Sequence, residues 1–335
     1  KKKTKNNTKY FPVKVKNKFL PLFIKDNLYL KEYLIIIKNF NPDIIHVFGT
    51  ESNFGLLNKY TSIPIVIHLQ GILNPYLNAY FPPNKSIFNY IFNYSVLKSY
   101  FQLKLKTPRE IKIIKNNKFF IGRTAWDYSV VKLINNKIKY FHCDEILRDK
   151  FYNSFTKLNL DNIILFSTIS NPIYKGFDLI QKTCKVLNEF TNLNYVWQVA
   201  GVNHKSKLPQ IQTLGKLNEE ILTHKLKKSS LYIHTSYIDN SPNSLCEAQI
   251  LGIPVISTNV GGIDSLIENE VSGFKVPAND PYYLASLISN IINDKIKLLE
   301  ISKNGHKLAS KRHDVNKIVQ STIDIYKNIS RDENK

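Results

Sequence analysis

The sequence predicts an α/β fold, with parallel sheets covered on both faces by helices. Short apolar runs at 43–49, 63–71, 119–122, 163–167, 196–201, 231–235 and 255–257 recur along the chain. They stand between stretches of helical pattern, the alternation expected of β-α-β units. Several end in Gly, which lets the backbone turn sharply or approach a ligand closely. With 335 residues and 43% apolar content, the chain is long enough for two domains with separate cores.

Residues 1–18 are rich in Lys and Asn and lack periodicity, as in a mobile arm or the remnant of an interrupted domain. The chain opens on Lys and contains no Met, so the first domain is expected to lack its native start. A helical pattern runs through 28–37, and the strand at 43–49 ends at a Gly turn. A short helix at 54–58 separates it from the strand at 63–71. Residues 86–104 are aromatic and increasingly basic, with Phe88, Ile91, Phe92, Ser95 and Ser99 on one helical face. A helix packed on its own domain and a membrane-surface helix both fit that pattern. The strand at 119–122 leads into Arg123, with Thr124 and Asp127 at capping-box spacing. A linker is expected near 151–160, and a second sheet begins at 163. Lys175-Gly176 introduces the next helix, 260–263 forms a tight turn, and 273–276 reads as the last strand. Helices from Tyr282 and Val315 finish the chain.

The stretch 236–257 carries most of the chemistry. Ser241 is expected to cap a short helix that has Pro242 at its first position. Gly252 closes it and Pro254 prevents its continuation. The amides of Asn243, Ser244 and Leu245 then lie at a helix N-terminus, a natural seat for phosphate. Asp239 precedes this end and Glu247 lies about one and a half turns inside it. Carboxylates repel phosphate, so at least one of them is expected to meet another partner, and sugar hydroxyls are the obvious one. The bland alternative makes Asp239 a cap and Glu247 a solvated side chain.

This segment resembles the C-terminal signature of glycosyltransferase family 4, retaining enzymes of the GT-B fold. Their two acidic residues correspond to Asp239 and Glu247, with Asp standing where Glu is usual. The tail from Gly252 to Ile263 fits the family closely. Pro42-Asp43-Ile44-Ile45-His46-Val47 and Val66-Ile67-His68-Leu69-Gln70-Gly71 resemble its N-terminal domain, where the His of His-x-x-Gly approaches the transferred sugar. Residues 122–127, with 143–148 downstream, resemble a bacterial subset of the family. The resemblance implies α/β architecture of the GT-B type: two Rossmann-like domains whose parallel sheets face a central cleft. The expected division is 1–155 on the acceptor side, 156–310 on the nucleotide-sugar side, and a C-terminal helix in 311–335 that can return to the first domain.

The same resemblance implies retaining transfer of a sugar from a UDP- or GDP-sugar to an acceptor hydroxyl, in polysaccharide or glycolipid synthesis. Lys175 and the amides of Asn243, Ser244 and Leu245 are expected on the diphosphate, Glu247 on the ribose and Asp239 on the transferred sugar. Gly201 is expected near the donor. His68 is a catalytic candidate, while His46 and Arg123 are candidate substrate contacts; for Arg123 an internal salt bridge is the alternative. Ser167-Thr168 occupies the place of a basic family motif, so one phosphate contact is missing. No cofactor or metal is expected.

The formal net charge of +21 admits an anionic membrane surface or anionic substrates, or simply a Lys-rich composition. No nucleic-acid motif accompanies it, and no nucleic-acid partner is expected. No run of apolar residues is long enough to span a bilayer and no signal peptide is visible. The three scattered cysteines suit a reducing compartment. The expected location is cytoplasmic, peripheral at the inner membrane face, with a saccharide or lipid-linked acceptor. A nucleotide-sugar epimerase of the same architecture, a basic non-catalytic binding protein and an inactive relic stay open as alternatives.

Overall fold

The computed structural model describes residues 3–5, 8–13, 22–152, 155–158, 160–203 and 205–333. Part of the expected N-terminal arm is ordered: β1 (Lys3–Lys5) and β2 (Thr8–Tyr10) pair as an antiparallel hairpin. Residues 14–21 lie outside the described residues. The helical pattern at 28–37 is the middle of a longer helix, α1 (Leu22–Phe40).

Four parallel strands then form the first sheet: β3 (Ile45–Phe48), β4 (Ile65–His68), β5 (Phe119–Gly122) and β6 (Lys139–His142), in that spatial order. The central pair is buried at every position, as continuous apolar runs require. Between them lie α2 (Leu73–Asn78), α3 (Tyr94–Asn116) and α4 (Ala125–Ile134). Residues 54–59 wind as a 3-10 helix rather than the expected α-helix. The stretch 86–104 is not one helix either. A 3-10 turn at Ile87–Tyr90 comes first, and Asn93 then caps α3 by accepting from the Val96 amide at 3.3 Å. Thr124 caps α4 by accepting from the Asp127 amide at 3.1 Å. Asp127 does not complete a capping box; its carboxylate accepts from the Arg123 amide instead.

The second sheet has six parallel strands, β7 (Ile163–Thr168), β8 (Tyr195–Ala200), β9 (Ile211–Gly215), β10 (Leu231–His234), β11 (Val255–Thr258) and β12 (Phe274–Val276). Helices α5 (Phe177–Phe190), α6 (Glu219–Lys227), α7 (Asn243–Ile250) and α8 (Pro281–Asn293) connect and cover them. The spatial order β12-β11-β10-β7-β8-β9 reverses direction between β7 and β10. In such sheets the crevice beyond the carboxyl ends at the reversal is where ligands bind. Lys175 follows β7 and Asp239 follows β10, so both stand at this point.

Two further helices, α9 (Lys295–Arg312) and α10 (Val315–Glu333), end the described chain. Ile318, Ile325 and Ile329 of α10 pack with Val66, Phe119, Ile121 and Cys143, on the first sheet. Each buried Ile stabilises this tie by roughly 2 kcal/mol. Leu147 and Phe151, ahead of the expected linker, already belong to the core of the second unit. Cys143, Cys184 and Cys246 are all free and buried.

Candidate functional site

Asp239 is the centre of a buried polar cage. Its Oδ2 pairs with Lys175 Nζ, lies 3.0 Å from His234 Nε2 and accepts from Ser236 Oγ at 3.4 Å. Oδ1 accepts from Tyr76 Oη at 3.0 Å and from the Asn240 amide at 3.1 Å. Burial alone raises the carboxyl's pKa, but Lys175 and His234 outweigh it and hold Asp239 well below the usual carboxylate range. Burial, reinforced by the Asp239 charge, pushes the Tyr76 phenol well above its ordinary value, so Tyr76 remains a donor. Burial lowers His234 against the pull of Asp239. Two carboxylate oxygens offer about four lone-pair sites. Lys175, Ser236, Tyr76 and the Asn240 amide already fill them, so a sugar hydroxyl reaches Asp239 only by displacing a present partner.

The backbone fixes this cage at two glycines. Gly176 has φ +71°, and a Cβ there would meet the Thr235 carbonyl oxygen at 2.0 Å. Gly261 has φ +55°, and its Cβ would meet the Asp239 carbonyl oxygen at 1.9 Å. Only Gly combines these dihedrals with such close approach. The loops that carry Lys175 and Asp239 are thereby pressed onto their neighbours.

The helix beyond Asp239 starts one residue later than expected. Pro242, with ψ 112°, is the N-cap of α7 rather than its first residue, and Ser241 lies outside the helix without capping it. The Leu245 amide donates to the Pro242 carbonyl at 3.0 Å, so it is not available to a ligand. The amides of Asn243 and Ser244 have no hydrogen-bond partner among the described residues. Ser244 Oγ accepts from Tyr232 Oη at 2.8 Å, and Tyr232 Oη lies 2.7 Å from Thr168 Oγ1. Neutral hydroxyls thus fill the place of the missing basic residue.

Glu247, further along α7, is 1% exposed and held by Arg148 in a two-pronged pair, Nε–Oε1 2.7 Å and Nη2–Oε2 2.6 Å. Burial raises its pKa, and Arg148 opposes the shift. Glu247 is therefore neither solvated nor unpartnered. Its two oxygens keep acceptor capacity beyond what one guanidinium uses.

The remaining candidates fall elsewhere. His68, at the end of β4, is 6% exposed, and neither ring nitrogen has a hydrogen-bond partner among the described residues. Burial, then Arg123, lowers its pKa to about 3, so the ring is neutral. It stacks on His46 at 5.4 Å. His46 Nδ1 in turn lies 2.5 Å from Tyr326 Oη of α10, which ties this strand to that helix, while its Nε2 has no hydrogen-bond partner among the described residues. Arg123 takes the internal alternative: it is 3% exposed, paired with Glu145, and 3.5 Å from Asn243 Oδ1.

A cavity of about 420 Å³ opens beside the cage, lined among others by Glu51, Gln70, Tyr76, Lys106, Tyr174 and Lys175. Neither His46 nor His68 reaches its wall; Gln70 and Gly71, just after β4, do. Gly201 lines a different cavity of about 470 Å³, with Thr168, Asn203 and Lys216. Tyr76, Arg148 and His234 are the participants that the sequence did not mark. Tyr76 is aimed by Glu110, whose buried carboxylate accepts from the amides of Leu73 and Asn74, both at 2.8 Å, and so caps α2. Among the described residues, no three His, Cys, Asp or Glu side chains are grouped as metal ligands.

A model of the family glycosyl transferases group 1 matches residues 148–308, the span that carries Lys175, Asp239 and Glu247. The N,N'-diacetylbacillosaminyl-diphospho-undecaprenol alpha-1,3-N-acetylgalactosaminyltransferase of Campylobacter jejuni is 22% identical over 320 residues, 90% of this chain and 81% of that one. The UDP-Gal:alpha-D-GlcNAc-diphosphoundecaprenol alpha-1,3-galactosyltransferase of Escherichia coli is 30% identical over 101 residues, 30% of this chain and 26% of that one. Among solved structures, sucrose-phosphate synthase from Thermosynechococcus elongatus superposes with a TM-score of 0.73 at 14% identity, over 98% of this chain and 84% of that one. The group 1 match, the glycosyltransferase relatives and the two parallel sheets together support a glycosyltransferase of the GT-B fold.

Proposed function

We propose that this glycosyltransferase moves a sugar, with retention at its anomeric carbon, from a UDP- or GDP-sugar to a hydroxyl of a lipid-linked saccharide at the inner membrane face. The observation that carries the reading is that Lys175 follows β7 and the partnerless amides of Asn243 and Ser244 follow β10, the two strands at which the sheet order reverses. A cation and a helix end at one such reversal suit a diphosphate. In the transfer, the bond from the anomeric carbon to the diphosphate oxygen breaks and its electrons stay on that oxygen. The acceptor oxygen bonds to the same carbon and passes its proton to the departing diphosphate oxygen. Negative charge grows on the leaving diphosphate, where Lys175 and the two amides stabilise it, and no divalent metal is needed. Glu247, steadied by Arg148, takes the ribose hydroxyls. The cavity at Gly201 takes the base, and Asp239 takes hydroxyls of the transferred sugar after exchanging a present partner.

The lipid-linked acceptor is supported by the two bacterial relatives, whose names both specify an undecaprenol-linked diphosphate substrate and an alpha linkage. A thermal-shift screen with UDP, GDP, ADP and their sugars tests the donor side. A ligand that binds only the native state at a hundred times its Kd stabilises it by about 2.7 kcal/mol. The expected outcome is stabilisation by one nucleotide series, absent in Lys175→Ala. No stabilisation of the folded wild type by any nucleotide overturns the reading. Conversion of the donor sugar without an acceptor points to the epimerase instead.

A further inference from the structure

Sugar transfer leaves unexplained the surface that begins at Lys85 and runs up the outer face of α3. Phe88 is 80% exposed, Phe92 99% and Tyr94 76%, with Ile91 exposed between them. On α3 itself Tyr94, Lys98, Phe101 and Leu105 recur at i, i+4, i+7 and i+11, so they share one face, and all four are exposed. The tip is nonetheless a built element. Ser86 and Asn89 close a capping box, and Phe81, Tyr90 and Tyr100 pack inward around Tyr80 and Val96. The inner rings hold the loop while the outer rings face water. A contiguous exposed apolar surface of this kind marks an interaction site.

We propose that this tip docks the enzyme on an anionic bilayer, with Phe88, Ile91, Phe92 and Tyr94 in the interface and Lys85, Lys98 and Lys104 on the headgroups. Charge selects the partner. From Phe81 to Arg109 there is no acidic residue, and exposed Lys85, Lys98 and Lys104 flank the exposed rings. That combination, a deep apolar tip set in a basic collar, suits lipid headgroups over acyl chains.

The placement also orients the active cleft. Ser99, Gln102, Leu103 and Lys106 line the 420 Å³ cavity from another side of the same helix. Twelve residues of helix put Lys106 about 18 Å from Tyr94 along the axis. With the tip in the interface, the cavity, which Ser99 begins to line five residues from Tyr94, opens close to the headgroups. The inference rests on the lipid-linked acceptor proposed above for its purpose, but its test does not depend on any donor or acceptor.

The experiment is co-sedimentation of the full chain with vesicles of phosphatidylglycerol and phosphatidylcholine, and with phosphatidylcholine alone. Wild type is expected to bind the anionic vesicles in preference. The double variant Phe88→Ser/Phe92→Ser is expected to bind roughly tenfold more weakly, because two interfacial rings are lost. Lys85→Glu/Lys98→Glu is expected to lose the preference for anionic lipid. Both pairs are exposed, so the melting temperature is expected to stay at the wild-type value, which separates lost docking from lost fold. Failure of wild type to sediment, or equal sedimentation of the Phe88→Ser/Phe92→Ser variant, overturns the proposal. Vesicle binding by a chain that no nucleotide stabilises upholds the docking surface and strikes only the donor reading.

Discussion

The two buried carboxylates of the C-terminal signature stand eight residues apart and meet opposite surroundings. Asp239 is ringed by Lys175, His234, Ser236, Tyr76 and the Asn240 amide, and its charge is held far into the acid range. Glu247 has Arg148 as its ion-pair partner, and burial raises its pKa. The cations differ as well. The Lys175 side chain is 14% exposed, whereas that of Arg148 is 41% exposed. The Asp239 charge is therefore locked into a rigid, desolvated cage that joins both sheets' loops. Glu247 is the adjustable acid, because Arg148 can return to water when a ligand arrives. A preorganised charge serves a reaction centre, and an adjustable one serves a binding contact.

Asp239→Asn tests the rigid half and carries the largest expected effect. It leaves Lys175 buried beside an amide, and breaking one side of a buried pair costs about 3 kcal/mol. Transfer is expected to fall about a thousandfold, since Asp239 both holds Lys175, the cation for the leaving diphosphate, and takes hydroxyls of the transferred sugar. Urea unfolding and initial rates measure the two losses. A variant with wild-type rate contradicts the assignment of Asp239 to the reaction centre.

Glu247→Gln tests the adjustable half. Arg148 is released to solvent, so stability is expected to drop by only about 1 kcal/mol. Loss of a hydrogen bond to a charged acceptor costs about 1.5–3 kcal/mol, so the Kd for nucleotide rises roughly ten- to a hundredfold. Equilibrium titration with the stabilising nucleotide reads this directly. Equal losses of stability in the two variants would erase the distinction between them.

The acid limb separates the pair by sign. A lowered folded pKa means that the stability from Asp239 is complete above the unfolded value near 4 and is lost as pH falls below it. The penalty of Asp239→Asn is then constant above about pH 5 and narrows on acidification. The raised pKa of Glu247 works the other way, because the folded state holds that proton more tightly. Wild type loses this contribution as pH rises past the ordinary Glu value of about 4.3, so Glu247→Gln gains on wild type over the same interval. The differences in unfolding free energy from wild type, measured between pH 3 and 6, are expected to show opposite slopes for the two variants.

What the sequence revealed follows the same division between local and distant contacts. The positions of Lys175-Gly176, Asp239 and Glu247 at strand and helix ends were legible because Gly and Pro punctuate their loops within a few residues. The strand ends were legible for the same reason, down to the turns after β3 and β4. The start of α7 was misplaced by one residue, since Pro suits both the cap and the first helical position, and only ψ 112° at Pro242 decides. The contacts of Tyr76 and Arg148 were not legible, because their partners lie 163 and 99 residues away. His46 shows the same limit from the other side. Its strand-end position said nothing of the tyrosine 280 residues on that takes its Nδ1.

Tyr76 supplies the finest test of the rigid cage. It is the side chain from the first sheet's half that touches an Asp239 oxygen, at 3.0 Å, and it also accepts from the Asn240 amide at 3.2 Å. In Tyr76→Phe the Asn240 amide keeps its bond to Asp239 Oδ1 at 3.1 Å, so no buried donor is orphaned. The stability cost is expected to stay near 1 kcal/mol. One lone-pair site on Asp239 is freed at the same time, which eases entry of a sugar hydroxyl. The donor KM is therefore expected to hold or fall, while kcat drops several-fold as the carboxylate loses the contact that aims it. A raised KM with unchanged kcat would instead make Tyr76 a ground-state contact for the donor. That outcome would move the rigid side of the comparison from the reaction centre to the binding site.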